Sequence, residues 1–254
     1  MTLDLQQAAQ RRMRRLVAIL VAVVLVLVGA LVVIAARGSD SDNGKPASVA
    51  PPTTATADPA PVETLPPDDG NYVAPAAYVA LPEGTEKVGD LPVGFPHTPE
   101  GAAAMAVTSA RNAWSFDPAK IKEGILTYAS ARYRNPMAAS AEDGAEGNRE
   151  FAGVPGTGPL PPGASLNAWP IGVKWTEAGS DTVNVLVLMR VTSVSKEGAE
   201  PKTSIVVVPG RSVWESDDWK GDATDPNTLP APTEIGTAKF NEDGWKAIQE
   251  GNRL

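Results

Sequence analysis

Four groups of side chains in this 254-residue sequence have the types that chemistry requires. Glu215, Asp217, Asp218, Asp222 and Asp225 crowd carboxylates together and offer the hard oxygen ligands that calcium takes. Their spacing matches no defined calcium loop, so a solvated acidic hairpin loop is expected instead. His97, the single histidine, sits between Pro96 and Thr98, where an imidazole could titrate near neutral pH or could pack and hydrogen-bond at a helix start. The packing role is the expectation. Ser193-Val194-Ser195-Lys196 has Ser-x-x-Lys spacing, but only a strand end surrounds it, and nothing in view fixes the serine or builds an oxyanion hole. Glu142 and Asp143 form a carboxylate pair in a stretch too rich in glycine and proline to hold the fixed geometry that a general acid needs.

Composition removes whole classes of site. The chain has no cysteine, so disulfides, thiolate zinc sites, thiol nucleophiles and a lipidated cysteine are all excluded. One histidine cannot build a multi-histidine metal centre. No G-x-x-x-x-G-K-[ST] loop occurs, which removes nucleotide hydrolysis through that motif. Trp169, Trp175, Trp214, Trp219 and Trp245 could line a ligand pocket, but each buries a large area and is read as a core or interface anchor. The sequence therefore assigns no catalytic, cofactor-binding or metal-binding residue, and the chain is expected not to be an enzyme.

The elements that would position these side chains begin with a membrane anchor. Residues 16–36 are 21 consecutive uncharged, almost wholly aliphatic positions, which as a helix span about 30 Å, a bilayer's hydrocarbon thickness. Arg11, Arg12, Arg14 and Arg15 precede the run, while Arg37, Asp40 and Asp42 follow it, so residues 1–15 should stay in the cytoplasm. A cleaved signal peptide fits less well: the run is too long, and Ile34 stands where a small residue would precede a cut after Ala36. The net charge of −8 divides into +3 on residues 1–15 and −11 on the rest. An exported part so acidic is repelled by anionic lipid and has no general affinity for nucleic acid.

Residues 37–70 hold Pro46, Pro51, Pro52, Pro59, Pro61, Pro66 and Pro67 and few large apolar side chains, the composition of a disordered linker. Extended at roughly 3.1 Å per residue, it could reach on the order of 100 Å. The fragment 40–44 resembles the start of a calcium loop but lacks the remaining ligands, and reads as linker.

Residues 71–254 read as one extracytoplasmic α+β domain. Thr98 and Pro99 start a helix whose Ala103, Ala106, Val107, Ala110 and Trp114 form one apolar stripe of mostly small residues. Asp117 and Pro118 start a second, and a third is predicted over 130–141 with an interruption at Pro136. Residues 142–164 read as an exposed loop. The period then becomes two over 166–175 and 182–194, where Val183, Val185, Val187, Met189 and Val191 share a face. A further strand over 202–208 is predicted to break or bulge at Pro209-Gly210 and resume over 212–215. Residues 221–236 read as loop and 240–248 as a small terminal helix. Successive strands joined by short turns pair mainly antiparallel, so the helices should pack on a curved antiparallel sheet.

With that layout, the string Val93-Gly94-Phe95-Pro96-His97-Thr98-Pro99-Glu100-Gly101-Ala102 and the later Val213-Trp214-Glu215-Ser216-Asp217-Asp218-Trp219-Lys220 resemble small membrane-anchored proteins of actinobacterial integrative conjugative elements. The resemblance covers most of residues 10–220. It implies an extracytoplasmic cone of the nuclear-transport-factor-like type, used by assembly proteins of conjugation and type IV secretion machines, and it implies no catalytic residues. The functional expectation is a single-pass, non-enzymatic structural or assembly component of an envelope-spanning complex, acting through protein partners, with a homo-oligomer left open. The alternative is a binding module for an apolar envelope molecule held between helices and sheet, which a pocket of several hundred Å³ lined by aliphatic side chains would favour. A cell-wall hydrolase is a third reading, disfavoured by the lack of a credible nucleophile and base.

Overall fold

The computed structural model describes residues 72–223 and 229–249. The anchor at 16–36, the linker at 37–70 and Asp225 lie outside the described residues, and among those described no helix is long and apolar enough to cross a membrane.

Helices and sheet form two layers. Helix α1 (Pro99–Ala113) begins where the sequence signals: the Thr98 side chain accepts from the Gly101 N–H at 3.1 Å, and Pro99 occupies the first turn, where its missing N–H costs nothing. Helix α2 (Pro118–Tyr128) repeats the device with Asp117, whose carboxylate accepts from the Ala119 N–H at 2.9 Å. Helix α3 (Arg134–Ala138) runs through Pro136 without interruption. Proline is harmless there because a helix's first-turn N–H groups have no intrahelical partner to lose.

The expected loop at 142–164 is corrected over its first half, which forms helix α4 (Ala141–Phe151). Gly144 and Gly147 each cost about 1 kcal/mol against alanine. Offsetting this, Ala141 and Ala145 are buried against Ile121, with Ile125 packed beside them, Glu142 and Asp143 favour the first turn and Arg149 the last. Trp114 meets the Phe151 ring edge-on at 5.2 Å, joining the ends of α1 and α4.

The main sheet is built on three long strands, β4 (Ser165–Gly179), β5 (Thr182–Val194) and β6 (Lys202–Glu215), paired antiparallel in chain order and extended by the short β7 (Asp218–Asp222). The valine face of β5 packs on α1: Val183, Val185, Val187, Met189 and Val191 are buried with Ala102, Ala103 and Val107. Small side chains on α1 allow that close approach. A register shift between Pro170 and Gly172 puts a bulge in β4, which bends the sheet.

Pro209 does not break β6, contrary to the sequence expectation. Its register with β5 is continuous through Pro209↔Leu186. Trp214 donates its N–H to Asp181 of the β5 side, so the alternation turns even-numbered residues of β6 toward β5 and odd-numbered ones away. The nitrogen of Pro209 therefore faces the outer side, beyond the end of β7 at Arg211, where among the described residues no strand pairs with β6.

The terminal segment also differs from the expected single helix. Helix α5 (Ala238–Glu242) is followed by strand β8 (Lys246–Ile248), which pairs with β4 and, in parallel, with β1 (Tyr78–Val79). Phe240, Trp245 and Ala247 bury Ile171 and Leu188 on the sheet face opposite α1, giving the second face a small core of its own. Gly172 permits this, since a Cβ there would stand 2.9 Å from the Phe240 ring. A separate hairpin, β2 (Glu86–Val88) and β3 (Leu91–Val93), precedes α1 and turns at Gly89, whose φ is +61°.

Candidate functional site

The two strings singled out in the sequence are more than a hundred residues apart and meet at one end of the domain. Asp218 is buried, and one of its oxygens accepts from the Phe95 N–H at 3.1 Å and from its neighbour Trp219 N–H at 2.9 Å. Its other oxygen holds Lys220 Nζ at 3.0 Å, and that ammonium also donates to the Thr127 carbonyl. The Trp219 indole N–H donates to the Pro96 carbonyl at 2.8 Å, so this buried tryptophan satisfies its polar atom against the chain just before α1. The Pro96 carbonyl also explains Gly101: a Cβ there would stand 1.9 Å from that oxygen.

His97 completes the junction. Its ring stacks on Trp214 at 4.0 Å and 9°, meets the edge of Trp219 at 5.4 Å, and its Nε2 lies 3.0 Å from Asp181 Oδ1 in the β4–β5 turn. The imidazole thus packs at a helix start, as expected from its neighbours. A histidine held by a carboxylate activates a nucleophile only if a hydroxyl or thiol reaches its other nitrogen. Among the described residues no serine, threonine or tyrosine hydroxyl is hydrogen-bonded to His97.

The acidic run is split among separate tasks. Glu215 accepts from the Ala131 N–H and Asp222 from the Ser130 hydroxyl, so both carboxylates fasten the segment after α2 to the β6–β7 hairpin. Asp217 is exposed in the turn. Among the described residues no cluster of three or more histidine, aspartate or glutamate side chains has the arrangement of a metal site. Ser193 is buried on β5, whereas Lys196 lies exposed beyond the strand end. Glu142 and Asp143 are exposed on the first turn of α4.

The tryptophans divide as well. Trp219 and Trp245 are buried, while Trp169 is exposed with the Arg111 guanidinium over its ring at 4.4 Å and Trp175 carries Lys246 Nζ at 3.6 Å. Tyr128, at the end of α2, donates its hydroxyl to the Pro92 carbonyl at 3.0 Å. Burial, and secondarily the charge of Asp218, pushes its phenol well above the usual range.

Beside this junction lies an open cleft of about 760 Å³ between the β2–β3 hairpin, α2 and the β6–β7 turn. Val88 and Leu126 stand 53% and 42% exposed on its walls, among Glu86, Lys122, Glu123 and Asp217. The turn that closes one side holds two non-glycine residues in the left-handed region, Ser216 at φ 54° and Asp217 at φ 61°. A two-residue hairpin turn of this hand ordinarily carries Asn-Gly, so this one is held at a cost in backbone energy. A second, smaller cavity of about 180 Å³ lies between α1, α2 and β6, lined chiefly by apolar groups of Met105, Ala110, Ile125, Val187 and Val208. The cleft could not have been read from the sequence, because the β2–β3 hairpin carries weak strand signals.

No protein-family model and no curated protein matches the chain. Among solved structures, it is similar to the crystal structure of the intermembrane space region of the chloroplast protein ARC6, at 12% identity and a TM-score of 0.29, over 48% of this chain and 92% of that one. A likeness of that size carries no functional argument.

Proposed function

We propose that the chain is a single-pass membrane protein whose extracytoplasmic α+β domain is a non-enzymatic docking module in a conjugative or secretion-type envelope complex, with its N-terminus in the cytoplasm. The observation that carries this reading is the open cleft beside the His97 and Trp214 junction. Its walls combine exposed Val88 and Leu126 with carboxylates and an amine of both signs, a mixture suited to a protein surface with an apolar centre and a polar rim. The strained turn of Ser216 and Asp217 lies on the same wall, where a conformation unfavourable for stability is retained.

The ligand-binding alternative has less support. The apolar cavity between helices and sheet measures about 180 Å³, below the roughly 300 Å³ at which small-molecule sites begin.

The reading is tested by crosslinking the full-length chain in native membranes and recovering it beside a version lacking residues 1–70. Anchor-dependent recovery of other envelope-complex subunits is the expected result. Recovery of stoichiometric lipid by the domain, with no protein partner, would overturn it.

A further inference from the structure

The segment at 72–79 is fastened to the domain by the segment at 236–249. Val73 donates its N–H to the Gly236 carbonyl at 2.8 Å, while the carbonyls of Ala77 and Val79 accept from the Ala247 and Gln249 N–H groups at 2.9 Å each, along the parallel pairing of β1 with β8. Between these bonds the side chain of Asn241, on α5, stands in for a neighbouring strand. Its Oδ1 accepts from the Ala76 N–H at 2.8 Å and its Nδ2 donates to the Ala74 carbonyl at 3.0 Å. An amide offers both the acceptor and the donor that those two backbone groups require.

The two sides of this contact are held with very different firmness. The 236–249 side is built into the second core through Phe240, Trp245 and Ala247, β8 also pairs with β4, and Lys174 Nζ donates to the Asp243 carbonyl at 2.8 Å. It has the contacts to stay in place without its neighbour. The 72–79 side buries Pro75 and packs Val79 on the first core, but Tyr72, Val73 and Tyr78 are exposed. Among the described residues, the backbone hydrogen bonds of 73–79 all run to 236–249. Few buried apolar contacts and a short set of exposed backbone bonds are the marks of a segment that opens locally at low free energy. Because β1 is two residues long, its ladder is too short to hold once Asn241 lets go.

We propose that residues 72–81 are a releasable strap, with Asn241 as its catch, and that the strap opens as one unit while the helices and the main sheet stay folded. Its ten residues, at roughly 3.3 Å each, add about 30 Å to the chain that leads back to residues 1–71. That this lengthens a membrane tether rests on the anchor proposed above, whereas the release itself does not.

Hydrogen exchange on the full-length chain, read residue by residue under native conditions, tests the release alone. The amides of Val73, Ala76, Ala247 and Gln249 should share one protection factor, well below that of Val183 to Val191 in β5. Separate values, lowest at Val73 and rising along the chain, would describe a terminus that merely frays and would overturn the proposal. So would a common value equal to that of β5, since the segment would then open only with the whole domain.

Asn241→Ala tests the catch. It removes both side-chain bonds but improves the helix propensity of α5. Ala76 loses its acceptor outright, so the informative amides are Val73, Ala247 and Gln249, whose own bonds are untouched. All three should exchange faster by the same factor, roughly tenfold for two lost hydrogen bonds, with β5 unchanged. Asn241→Asp keeps an acceptor for Ala76 but turns a second oxygen toward the Ala74 carbonyl, and should loosen the same three amides. Faster exchange at Ala76 alone would contradict the catch. The comparison within the unsubstituted chain decides the release even where a variant fails to fold.

Discussion

His97 lies flat against Trp214, with ring centroids 4.0 Å apart and planes 9° from parallel. The contact ties the residue before the Thr98 cap of α1 to the far end of β6, and the His97 contact with Asp181 brings in the β4–β5 turn as well. Three segments distant in sequence therefore share one aromatic contact at the junction that borders the cleft.

A double-mutant cycle measures that contact. His97→Ala and Trp214→Ala should show a coupling of about 0.5–1.5 kcal/mol in urea unfolding, the range for aromatic pairs beyond their buried area. Asp181→Asn should cost less than about 1 kcal/mol, since that contact is exposed to solvent. A coupling indistinguishable from zero would show that the rings merely lie side by side.

Asp218 should be far less replaceable. It is buried, holds the Phe95 and Trp219 amides and pairs with a largely buried Lys220. Asp218→Ala strands that ammonium and two amides, and the expected loss is roughly 3–5 kcal/mol of unfolding free energy. A loss near that of an ordinary surface substitution would contradict the role given to this side chain.

Tyr128 gives the fold a dependence on alkaline pH. Burial raises its phenol above the ordinary value near 10, so the neutral form is favoured in the folded state. That contribution is complete below about pH 10 and is lost as the pH rises through the folded-state value. Tyr128→Phe removes the bond to the Pro92 carbonyl and should cost about 1 kcal/mol near neutrality. It should also fall less steeply than the parent above pH 10. Parallel urea titrations from neutral to strongly alkaline pH, with equal slopes for both chains, would refute the assignment.

The β6–β7 turn separates stability from recognition. Replacing Ser216 with Asn and Asp217 with Gly matches the turn's positive φ angles and should raise stability by roughly 0.5–1 kcal/mol. Partner recovery from membranes should fall at the same time, because the turn lines the cleft. Unchanged recovery would place the partner elsewhere.

Much of the layout was legible in residue spacing. Thr98-Pro99 and Asp117-Pro118 start their helices, and the alternation over Thr182–Val194 gives a strand whose valine face is the core. What failed depended on contacts that local patterns do not carry. Gly144 and Gly147 argue against a helix until Ala141 and Ala145 find Ile121. Pro209 argues for a break until its nitrogen is seen to face away from β5, on a side where among the described residues no strand pairs with it. Lys246–Ile248 is too short to signal a strand and is fixed by β1 and β4 beside it. The meeting of Phe95, Pro96 and His97 with Trp214, Asp218 and Trp219 spans more than a hundred residues of chain. Each residue type was visible, but their common site was not.

The most direct test of the docking reading is site-specific photocrosslinking from the cleft wall. A photoreactive amino acid in place of Val88 or Leu126 in the full-length chain, activated in native membranes, should capture one protein partner at both positions and none from the exposed Lys196 in the β5–β6 turn, at the opposite end of the sheet. Capture of lipid alone from the cleft positions, or equal protein capture from Lys196, would contradict it.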